Sequence, residues 1–327
     1  MTMFFQLAII RNVPKTEDSI MIYTIYLNPT IDKTIYLDGF NVGGTNRVKR
    51  SMSQAGGKAL NVATVLKNLK VPVKIYGFAC ETENDVIYEA LSNIPHEFAI
   101  LDGFPRTNIK IVDTIRQVTT EINDRGPAVT ENDLFAFETL LNDLNEDDFV
   151  VLTGSLPVGC PSDYYKKLTE KLYSKVIIDA SGDALKEAVK AKPFMLKPNL
   201  DELSHLTGKT YDPYEILNIV EDCKQLIAEG ISLIVVSMGS RGAILVSENE
   251  AYYSKALITN PDSTVGAGDS MLAGVLSVLH KGGSLKDALL MGTAAAAATI
   301  TLPGTTLASS KEIKDMLPSS SVETING

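Results

Sequence analysis

The sequence predicts an α/β protein with a mostly parallel central sheet, helices on both faces of that sheet, and a small second sheet. The 327 residues are 45% hydrophobic and 21% charged, which suits a large buried core and excludes disordered and low-complexity classes. Short, nearly continuous apolar runs alternate with amphipathic stretches, as in parallel strands covered on both faces. Two further segments alternate polar and apolar residues, which indicates strands with one exposed face.

The elements of the main sheet follow from these runs. The predicted strands are residues 22–27, 73–79, 149–152, 176–178, 194–196, 233–236 and 243–246. The predicted helices between them include residues 59–69, 162–173, 214–228 and 268–281. Since parallel strands need crossover connections, this alternation favours repeated β-α-β units.

The second sheet is predicted from residues 34–49 and 108–122, and the latter segment reads as a hairpin around residues 114–116. We expect lid segments at about residues 33–50 and 106–123, able to cover a site or to form a dimer contact. Ordinary surface hairpins are the alternative.

Residues 21–327 are predicted to form one domain. The stretch from Asn12 to Ser19 is polar and contains Pro14, so residues 1–20 are expected to be a detached extension without function. No basic region precedes the first apolar residues, and no run reaches the ~18–20 apolar residues of a membrane span. The expected location is cytoplasmic.

Charge and side-chain chemistry exclude several classes. Thirty Lys and Arg against forty Asp and Glu give a net charge of −10, and no block of five like charges occurs, so neither nucleic acid nor a membrane surface is an expected partner. Three cysteines without a CxxC argue against a disulfide scaffold and a zinc site. Three histidines without HExxH, and no GxSxG, argue against metalloproteases and serine hydrolases.

Polar residues follow several predicted strands. Because ligands of parallel sheets bind beyond the carboxyl ends of the strands, these residues indicate a site for a polar, phosphorylated ligand. They are Asn28 and Asp32, then Thr153, Gly154 and Ser155, then Asp179, then Lys197, Asn199 and Glu202, and finally Ser237, Gly239, Ser240 and Gly242.

A glycine-rich turn precedes the predicted helix 268–281. Gly266, Ala267 and Gly268 can direct backbone N–H groups at an anion, and the helix start adds partial positive charge. Asp269 lies beside this anion hole. Two interpretations remain open from spacing alone: Asp269 caps the helix, or it is a catalytic base.

A second glycine turn, Gly56 and Gly57 followed by Lys58, opens the helix that carries Asn61. The pair could hold an anion, or the glycines could be needed only for packing. Neither GxxxxGK[ST] nor a GxGxxG after a strand is present, so a P-loop and a dinucleotide fold are unsupported.

Arg106, Asn108 and Lys110 alternate, so they share one face of a predicted strand and could meet a phosphate. Arg47 offers the same chemistry. A solvated strand face is the alternative for all four.

Five segments in this order resemble the PfkB, or ribokinase-like, family of carbohydrate kinases across residues 21–327. The segments are AGGKALN at 55–61, TGSLP at 153–157, KPNLDEL at 197–203, SMGSRG at 237–242 and STVGAGDSMLAG at 263–274. The resemblance implies a ribokinase-like fold with a β lid, ATP as co-substrate and Mg²⁺. One departure is Ala59, where the family usually has glycine. We expect alanine to be tolerated at this position if the backbone there is helical with negative φ.

The resemblance also implies residue roles. Asp269 would be the general base, and the N–H groups of Gly266, Ala267 and Gly268 would stabilise the transferring phosphoryl group. Asn199 and Glu202 would organise Mg²⁺ through water. The nucleotide site would comprise Lys197, Asn199, Ser237, Gly239, Ser240, Gly242, Thr264, Gly266 and Gly268.

On the sugar side, the resemblance implies Asp32, Gly56, Gly57, Lys58, Asn61, Arg106, Asn108, Arg47 and Ser155. Lys58 and Arg106, with Arg47, would hold a phosphate already present on the sugar. The motifs are most similar to those of kinases that act on D-fructose 1-phosphate, with D-tagatose 6-phosphate as the alternative substrate. A catalytically inactive sugar-phosphate sensor is the alternative from a different class, and a homodimer through the lid is expected.

Overall fold

The structure, a computed structural model, describes residues 7–8, 20–82, 85–259 and 263–325. Its strands are β1 Leu7–Ala8, β2 Ile22–Tyr26, β3 Thr30–Leu37, β4 Arg50–Gly56, β5 Val73–Cys80, β6 His96–Leu101, β7 Arg106–Asp113, β8 Val118–Ile122, β9 Phe149–Thr153, β10 Lys175–Asp179, β11 Met195–Leu196, β12 Leu233–Ser237, β13 Ala243–Ser247, β14 Ala251–Ser254 and β15 Val322–Thr324. Its α-helices are α1 Lys58–Asn68, α2 Asp85–Ala90, α3 Glu131–Thr139, α4 Tyr164–Lys171, α5 Gly182–Val189, α6 Leu200–Thr207, α7 Ile216–Ala228, α8 Ala267–Leu279, α9 Leu285–Ile300 and α10 Ser310–Met316.

The main sheet has the strand order β1-β6-β5-β2-β9-β10-β11-β12-β13-β14-β15. The strands from β6 to β12 pair in parallel, whereas β13, β14 and β15 extend the sheet in antiparallel fashion. The chain moves outward from β2 through β5 to β6 on one side and from β9 to β12 on the other. Because strand order reverses between β2 and β9, the carboxyl ends of these strands open a crevice where ligands of such sheets bind.

Both faces of the main sheet are buried. In β9, Phe149 and Val151 pack into the core beside α1, α8 and α9, whereas Val150 and Leu152 pack into the core beside α3 to α7. Alternate side chains of a strand point to opposite faces, so a strand buried on both sides must be apolar throughout. The predicted doubly covered α/β sheet is therefore confirmed.

The second sheet contains four strands in the order β4-β3-β7-β8. The predicted hairpin is confirmed as β7 and β8, joined by a turn at residues 114–117. The first lid segment, predicted as strand at residues 34–49, lies elsewhere in the structure. Its strands are β3 and β4, and residues 38–49 between them form no strand. Gly39 and Gly43 adopt left-handed φ values of 71° and 80°, which turns the chain between β3 and β4.

The carboxylate of Asp113 joins the loop after β3 to the β7–β8 hairpin. It accepts hydrogen bonds from the N–H groups of Gly39 (3.0 Å), Phe40 (2.8 Å), Ile115 (3.0 Å) and Arg116 (3.0 Å). These donors, above all those of Arg116 and Phe40, hold the pKa of Asp113 well below its usual range. One buried anion thus fixes both parts of the lid to each other.

The predicted extension, residues 1–20, lies outside the described residues except for Leu7, Ala8 and Ile20. Leu7 and Ala8 pair antiparallel with β6, so these two residues are attached to the sheet rather than detached. No helix among the described residues is long and apolar enough to cross a membrane. The predicted homodimer contact stays a prediction; β8 lies at one edge of the small sheet.

Candidate active site

The ends of β9, β10 and β11 bring together a buried ion-pair cluster. The carboxylate of Asp179 lies 3.0 Å from Nζ of Lys58 and 3.1 Å from Nζ of Lys197, and Oγ1 of Thr153 donates to it over 3.2 Å. The Asp179 side chain is fully buried, and the Lys197 side chain is 4% exposed. Burial raises the pKa of Asp179, but Lys197 and Lys58 more than offset this, so the net pKa lies below its usual range.

Helix α1 begins at this cluster, directly after two glycines. A Cβ on Gly57, whose φ is 106°, would lie 2.6 Å from the ring of Tyr26. A Cβ on Gly56 would lie 2.3 Å from a carboxylate oxygen of Asp32. Packing therefore accounts for Gly57, whereas a Cβ on Gly56 would meet only the end of the Asp32 side chain, which can shift. Anion binding by the two glycines stays a prediction. The turn places Lys58, the first residue of α1, against Asp179.

Asp269 lies one turn into the adjoining helix start. Gly266, with a left-handed φ of 76°, is the N-cap of α8, and Asp269 is the third helical residue. Its buried carboxylate accepts a hydrogen bond from Nδ2 of Asn61 at 2.8 Å rather than bonding the helix backbone. The capping interpretation of Asp269 is therefore wrong.

The pKa of Asp269 is raised above its usual range. Burial is the main cause, and the negative charge of Asp179 adds to it; Lys58, the Asn61 amide and Lys197 act in the opposite direction without cancelling the rise. A carboxylate in such surroundings is a stronger base than one in water.

The backbone of the α8 start offers donors beside this carboxylate. In the described part of the chain, no acceptor bonds the N–H groups of Gly266 and Gly268, whereas Ala267 donates to the carbonyl of Thr264 at 3.4 Å. A Cβ on Gly268 would lie 3.5 Å from Nζ of Lys197. An ammonium group and a helix N-terminus thus converge, which favours binding of an anion. The donor role of Ala267 stays a prediction.

The small sheet faces the same crevice with polar side chains. Its parallel register sets Arg106 opposite Thr30 and Asn108 opposite Asp32. The alternation predicted that Arg106 and Asn108 share a face, but it did not predict these partners. Nε of Arg106 donates to Oγ1 of Thr30 at 2.7 Å, and Nδ2 of Asn108 donates to Oδ1 of Asp32 at 3.1 Å. Both donor residues are half-buried, so the solvated-face interpretation fails for them.

Two buried amide oxygens lack partners at this edge. Oδ1 of Asn28 and Oδ1 of Asn108 accept no hydrogen bond from any described residue. Nδ2 of Asn28 donates to Oγ of Ser155 at 3.3 Å and to the carbonyl of Arg125 at 3.3 Å, which ties the segment after β8 to the main sheet. Buried acceptors without partners are costly, so a ligand that donates hydroxyl groups would satisfy them.

A cavity of about 550 Å³ adjoins the α8 start on its other side. Its lining includes the predicted nucleotide residues Ser237, Gly239, Ser240, Gly242, Thr264 and Gly268, and also Ala267. Met271, Thr293, Ala296, Ala297 and Ile300 of α8 and α9 line it as well. The cavity is mostly apolar and meets the anion hole at Gly268, so it suits a ligand with a flat apolar part and a phosphate tail.

The model of the pfkB family of carbohydrate kinases matches residues 26–312. The chain belongs to this family. It is therefore a phosphotransferase, and the family implies ATP as the phosphoryl donor.

Two similar proteins support the assignment of this pfkB kinase. A 1-phosphofructokinase of Bacillus subtilis is 35% identical over 284 residues, covering 85% of this chain and 92% of that protein. A 1-phosphofructokinase of Borreliella burgdorferi is 35% identical over 310 residues, covering 93% of this chain and 99% of that protein.

Solved structures agree with the fold of this pfkB kinase. A putative phosphofructokinase from Staphylococcus aureus superposes with a TM-score of 0.81 at 29% identity, covering 94% of this chain and all of that chain. Phosphofructokinase-2 from Escherichia coli, in complex with substrates and products, gives a TM-score of 0.85 at 25% identity, covering 92% and 99%. Ribokinase from Thermotoga maritima, at 20% identity, shares the fold with a TM-score of 0.75.

Most predicted site residues of this pfkB kinase lie at the crevice or line the adjoining cavity, but two residues have other surroundings. Arg47 is exposed on the loop between β3 and β4, and no contact among the described residues joins it to the site. Lys110 lies 3.9 Å from Glu121 of the neighbouring strand β8. The phosphate-binding roles of both residues stay predictions.

Sequence reasoning missed several residues that build the site. The sequence predicts Asp179 only as a polar residue after a strand and assigns no role to Tyr26. The hydroxyl of Tyr26 accepts from the N–H of Thr30 at 2.7 Å and donates to the carbonyl of Gly56 at 2.8 Å, which joins the start of β3 to the end of β4. Residues 22–27 contain two tyrosines and a threonine, and nothing in the sequence distinguishes Tyr26 from Tyr23.

The residues suggested for Mg²⁺ serve helix α6 in this structure. Oδ1 of Asn199 accepts from the N–H of Glu202 at 2.8 Å, and Oε2 of Glu202 accepts from the N–H of Asn199 at 2.9 Å, forming a capping box. Among the described residues, no group of three or more His, Cys, Asp and Glu side chains could hold a metal. One carboxylate with waters and substrate phosphates is nevertheless a usual Mg²⁺ arrangement, so Glu202 fits a water-mediated role.

Proposed function

We propose that this pfkB kinase transfers the γ-phosphoryl group of ATP to D-fructose 1-phosphate, giving D-fructose 1,6-bisphosphate and ADP. The observation that carries the proposal is the position of Asp269: a buried carboxylate with a raised pKa, beside a helix N-terminus, between the polar crevice and the 550 Å³ cavity. The relatives named 1-phosphofructokinase support the choice of sugar.

The proposed step is a single displacement at phosphorus. Asp269 accepts the proton of the C6 hydroxyl as that oxygen forms a bond to the γ-phosphorus of ATP. The bond from the γ-phosphorus to the bridging oxygen breaks, and its electrons leave with ADP. The N–H groups of Gly266 and Gly268, with Lys197, stabilise the charge on the transferring group. Mg²⁺, held by the nucleotide and by Glu202 through water, would neutralise further phosphate charge.

The two sides of the crevice would hold the two substrates. Asp32, Asn61 and the amide oxygens of Asn28 and Asn108 can bind sugar hydroxyls, while Lys58 and Arg106 provide positive charge for the sugar phosphate. The apolar cavity takes the adenine and ribose. An acidic protein can bind two anions in this way because the positive charge is needed only locally.

ADP release in the presence of Mg-ATP tests the proposal with D-fructose 1-phosphate, D-tagatose 6-phosphate and D-fructose 6-phosphate. We expect kcat/KM to be highest for D-fructose 1-phosphate by about tenfold, which corresponds to about 1.4 kcal/mol of transition-state preference. A higher kcat/KM for D-tagatose 6-phosphate would contradict the proposed substrate but leave the proposed mechanism intact. Binding of a sugar phosphate without turnover would favour the sensor alternative.

A further inference from the structure

A second cavity lies at the opposite ends of the helices that build the crevice. It has a volume of about 790 Å³ and lies between the C-terminal ends of α1 and α8 and the helix α10. Lys70, Lys281, Lys311 and Lys314 line it, and we call it the lysine cavity.

The charge of the lysine cavity is opposite to that of the whole protein. Four lysines and one acidic residue, Asp315, line it, whereas the chain carries a net charge of −10. Within the described ranges, none of the four lysines forms an ion pair, and all four are exposed. Four ammonium groups that share a cavity with a single carboxylate repel each other, so a bound anion would be stabilised there.

The wall of the lysine cavity is partly apolar. Leu69, Val278 and Met291 are half-buried and line it together with the lysines. A volume of this size is typical of small-molecule sites. Apolar walls with ammonium groups at the rim suit an organic molecule that carries phosphate, rather than an inorganic ion alone.

The end of helix α1 places Lys70 at the lysine cavity. Helix α1 ends in a Schellman motif, in which the N–H of Lys70 donates to Lys67 and the N–H of Val71 donates to Leu66, both over 2.9 Å. Lys70 has a left-handed φ of 59° in this motif. Glycine is usual at this position because it lacks a Cβ. Lys192 adopts a similar φ of 55°, so the conformation only fixes where the backbone of Lys70 lies.

Two helices link the lysine cavity to the crevice. Helix α1 begins with Lys58 and ends beside Lys70, while α8 carries Asp269 in its first turn and ends near Lys281. The two helices pack against each other in one core. An anion that draws their C-terminal ends toward α10 would therefore act on the elements that place the catalytic side chains.

We propose that the lysine cavity binds a phosphorylated small molecule, a phosphate ester with a sugar or nucleoside portion, at a site separate from the crevice. This proposal stands independently of the substrate proposed above, because no residue of the lysine cavity belongs to the crevice.

Hydrogen–deuterium exchange of the full chain, titrated in separate arms with ATP and with D-fructose 1,6-bisphosphate, tests the proposal. Three proteins are compared: the wild type, Lys311→Gln/Lys314→Gln, and the control Lys186→Gln/Lys224→Gln. The control removes the same charge from exposed positions on α5 and α7, across the sheet. If ATP slows exchange at the lysine cavity, the nucleoside portion is recognised. If D-fructose 1,6-bisphosphate does so, the sugar portion is recognised.

At least one ligand is expected to slow exchange in residues 310–316 and 277–283 of the wild type and the control. In Lys311→Gln/Lys314→Gln, half-saturation of that effect should rise about tenfold or more, since each charge-assisted hydrogen bond is worth about that factor. Protection at residues 264–270, in the crevice, should remain in all three proteins. Unchanged exchange in α10 with both ligands, or equal effects in the two variants, would overturn the proposal. A response of α10 without any sugar kinase activity would instead contradict the proposed function alone.

Discussion

Two buried carboxylates lie at the same edge of the main sheet, and their surroundings shift their pKa values in opposite directions. Asp179, at the end of β10, contacts the ammonium groups of Lys58 and Lys197 at 3.0 and 3.1 Å. Asp269, in the first turn of α8, has the amide of Asn61 as its hydrogen-bond donor. The pKa of Asp179 is lowered, and that of Asp269 is raised.

The difference shows how one crevice keeps an anion and a base side by side. Paired lysines hold Asp179 ionised, and Asp179 in turn fixes where the two ammonium groups lie. Burial and the negative charge of Asp179 raise the pKa of Asp269, and the neutral amide of Asn61 does not cancel this rise. Separating the pKa values of neighbouring acids in this way is how a site assigns them different roles.

The largest expected effect is the loss of turnover in Asp269→Asn. Removing a general base should lower kcat by about 10²- to 10⁴-fold. Stability at pH 7 should be unchanged or slightly higher. Because burial raises the pKa of Asp269, its ionised form costs folding free energy above the folded pKa, and this cost is absent below the unfolded pKa of about 3.9. Steady-state kinetics and urea unfolding at pH 7 measure both quantities. A variant that retains wild-type kcat would show that Asp269 is not the base.

The next effect is on stability, in Asp179→Asn. The substitution leaves Lys58 and the buried Lys197 without their counter-ion, and breaking a buried pair costs about 3–5 kcal/mol. Because the folded pKa of Asp179 is lowered, its contribution is present above the unfolded value of about 3.9 and is lost as the pH falls through the folded value. Urea unfolding at pH 7 measures the loss.

The control for Asp179→Asn is Asp163→Asn, which removes an exposed ion pair with Lys167 at 3.0 Å. Such a pair contributes at most about 1 kcal/mol. Equal losses of unfolding free energy in the two variants would contradict the claim that the buried ion pairs of Asp179 stabilise the fold more than an exposed pair does.

The same comparison shows what the sequence could predict. Glycine turns before two helices are local signals, so the positions of Asp269, Lys58 and Asn61 followed from the sequence. The pairing of Asp179 with two lysines did not, because residues 58, 179 and 197 meet only through the order of strands in the sheet. A lone aspartate after an apolar run has no spacing that could reveal its partners.

Packing explains the other omissions. Strand β4 was missed because its sequence, RSMSQAG, lacks clear alternation and is held in place by pairing with β3. No role was predicted for the alanine-rich helix α9. In the structure, Ala296 and Ala297 line the 550 Å³ cavity, where their small side chains leave room for a ligand.

A pH profile sharpens the contrast between the two carboxylates. The acid limb of kcat/KM should lie above the usual carboxyl range, because Asp269 must lose a proton to act as a base. The Asn61 amide favours the ionised form of Asp269, so Asn61→Ala should move the acid limb to higher pH. Initial rates from about pH 5 to 9 measure the limb.

The matched control for the pH profile is Asn108→Ala, whose amide bonds Asp32 rather than Asp269. It should lower kcat/KM without moving the limb. A limb that stays in place in Asn61→Ala, or moves equally in both variants, would show that another group controls the profile.

The smallest expected effect concerns Ala59, in the helix that supports both carboxylates. Its neighbour Lys58 contacts Asp179, and Asn61 contacts Asp269. Ala59 is buried in the first turn of α1 and is not among the described residues with positive φ, so the backbone does not require glycine there. Ala59→Gly should therefore lower stability by up to about 1 kcal/mol and change kcat/KM by less than about twofold. Thermal unfolding and initial rates with D-fructose 1-phosphate measure the two effects. A large gain or loss in kcat/KM without a change in stability would mean that the methyl group of Ala59 shapes the sugar side of the crevice. The first turn of α1, which carries Lys58 and Asn61, would then also contribute to substrate selection.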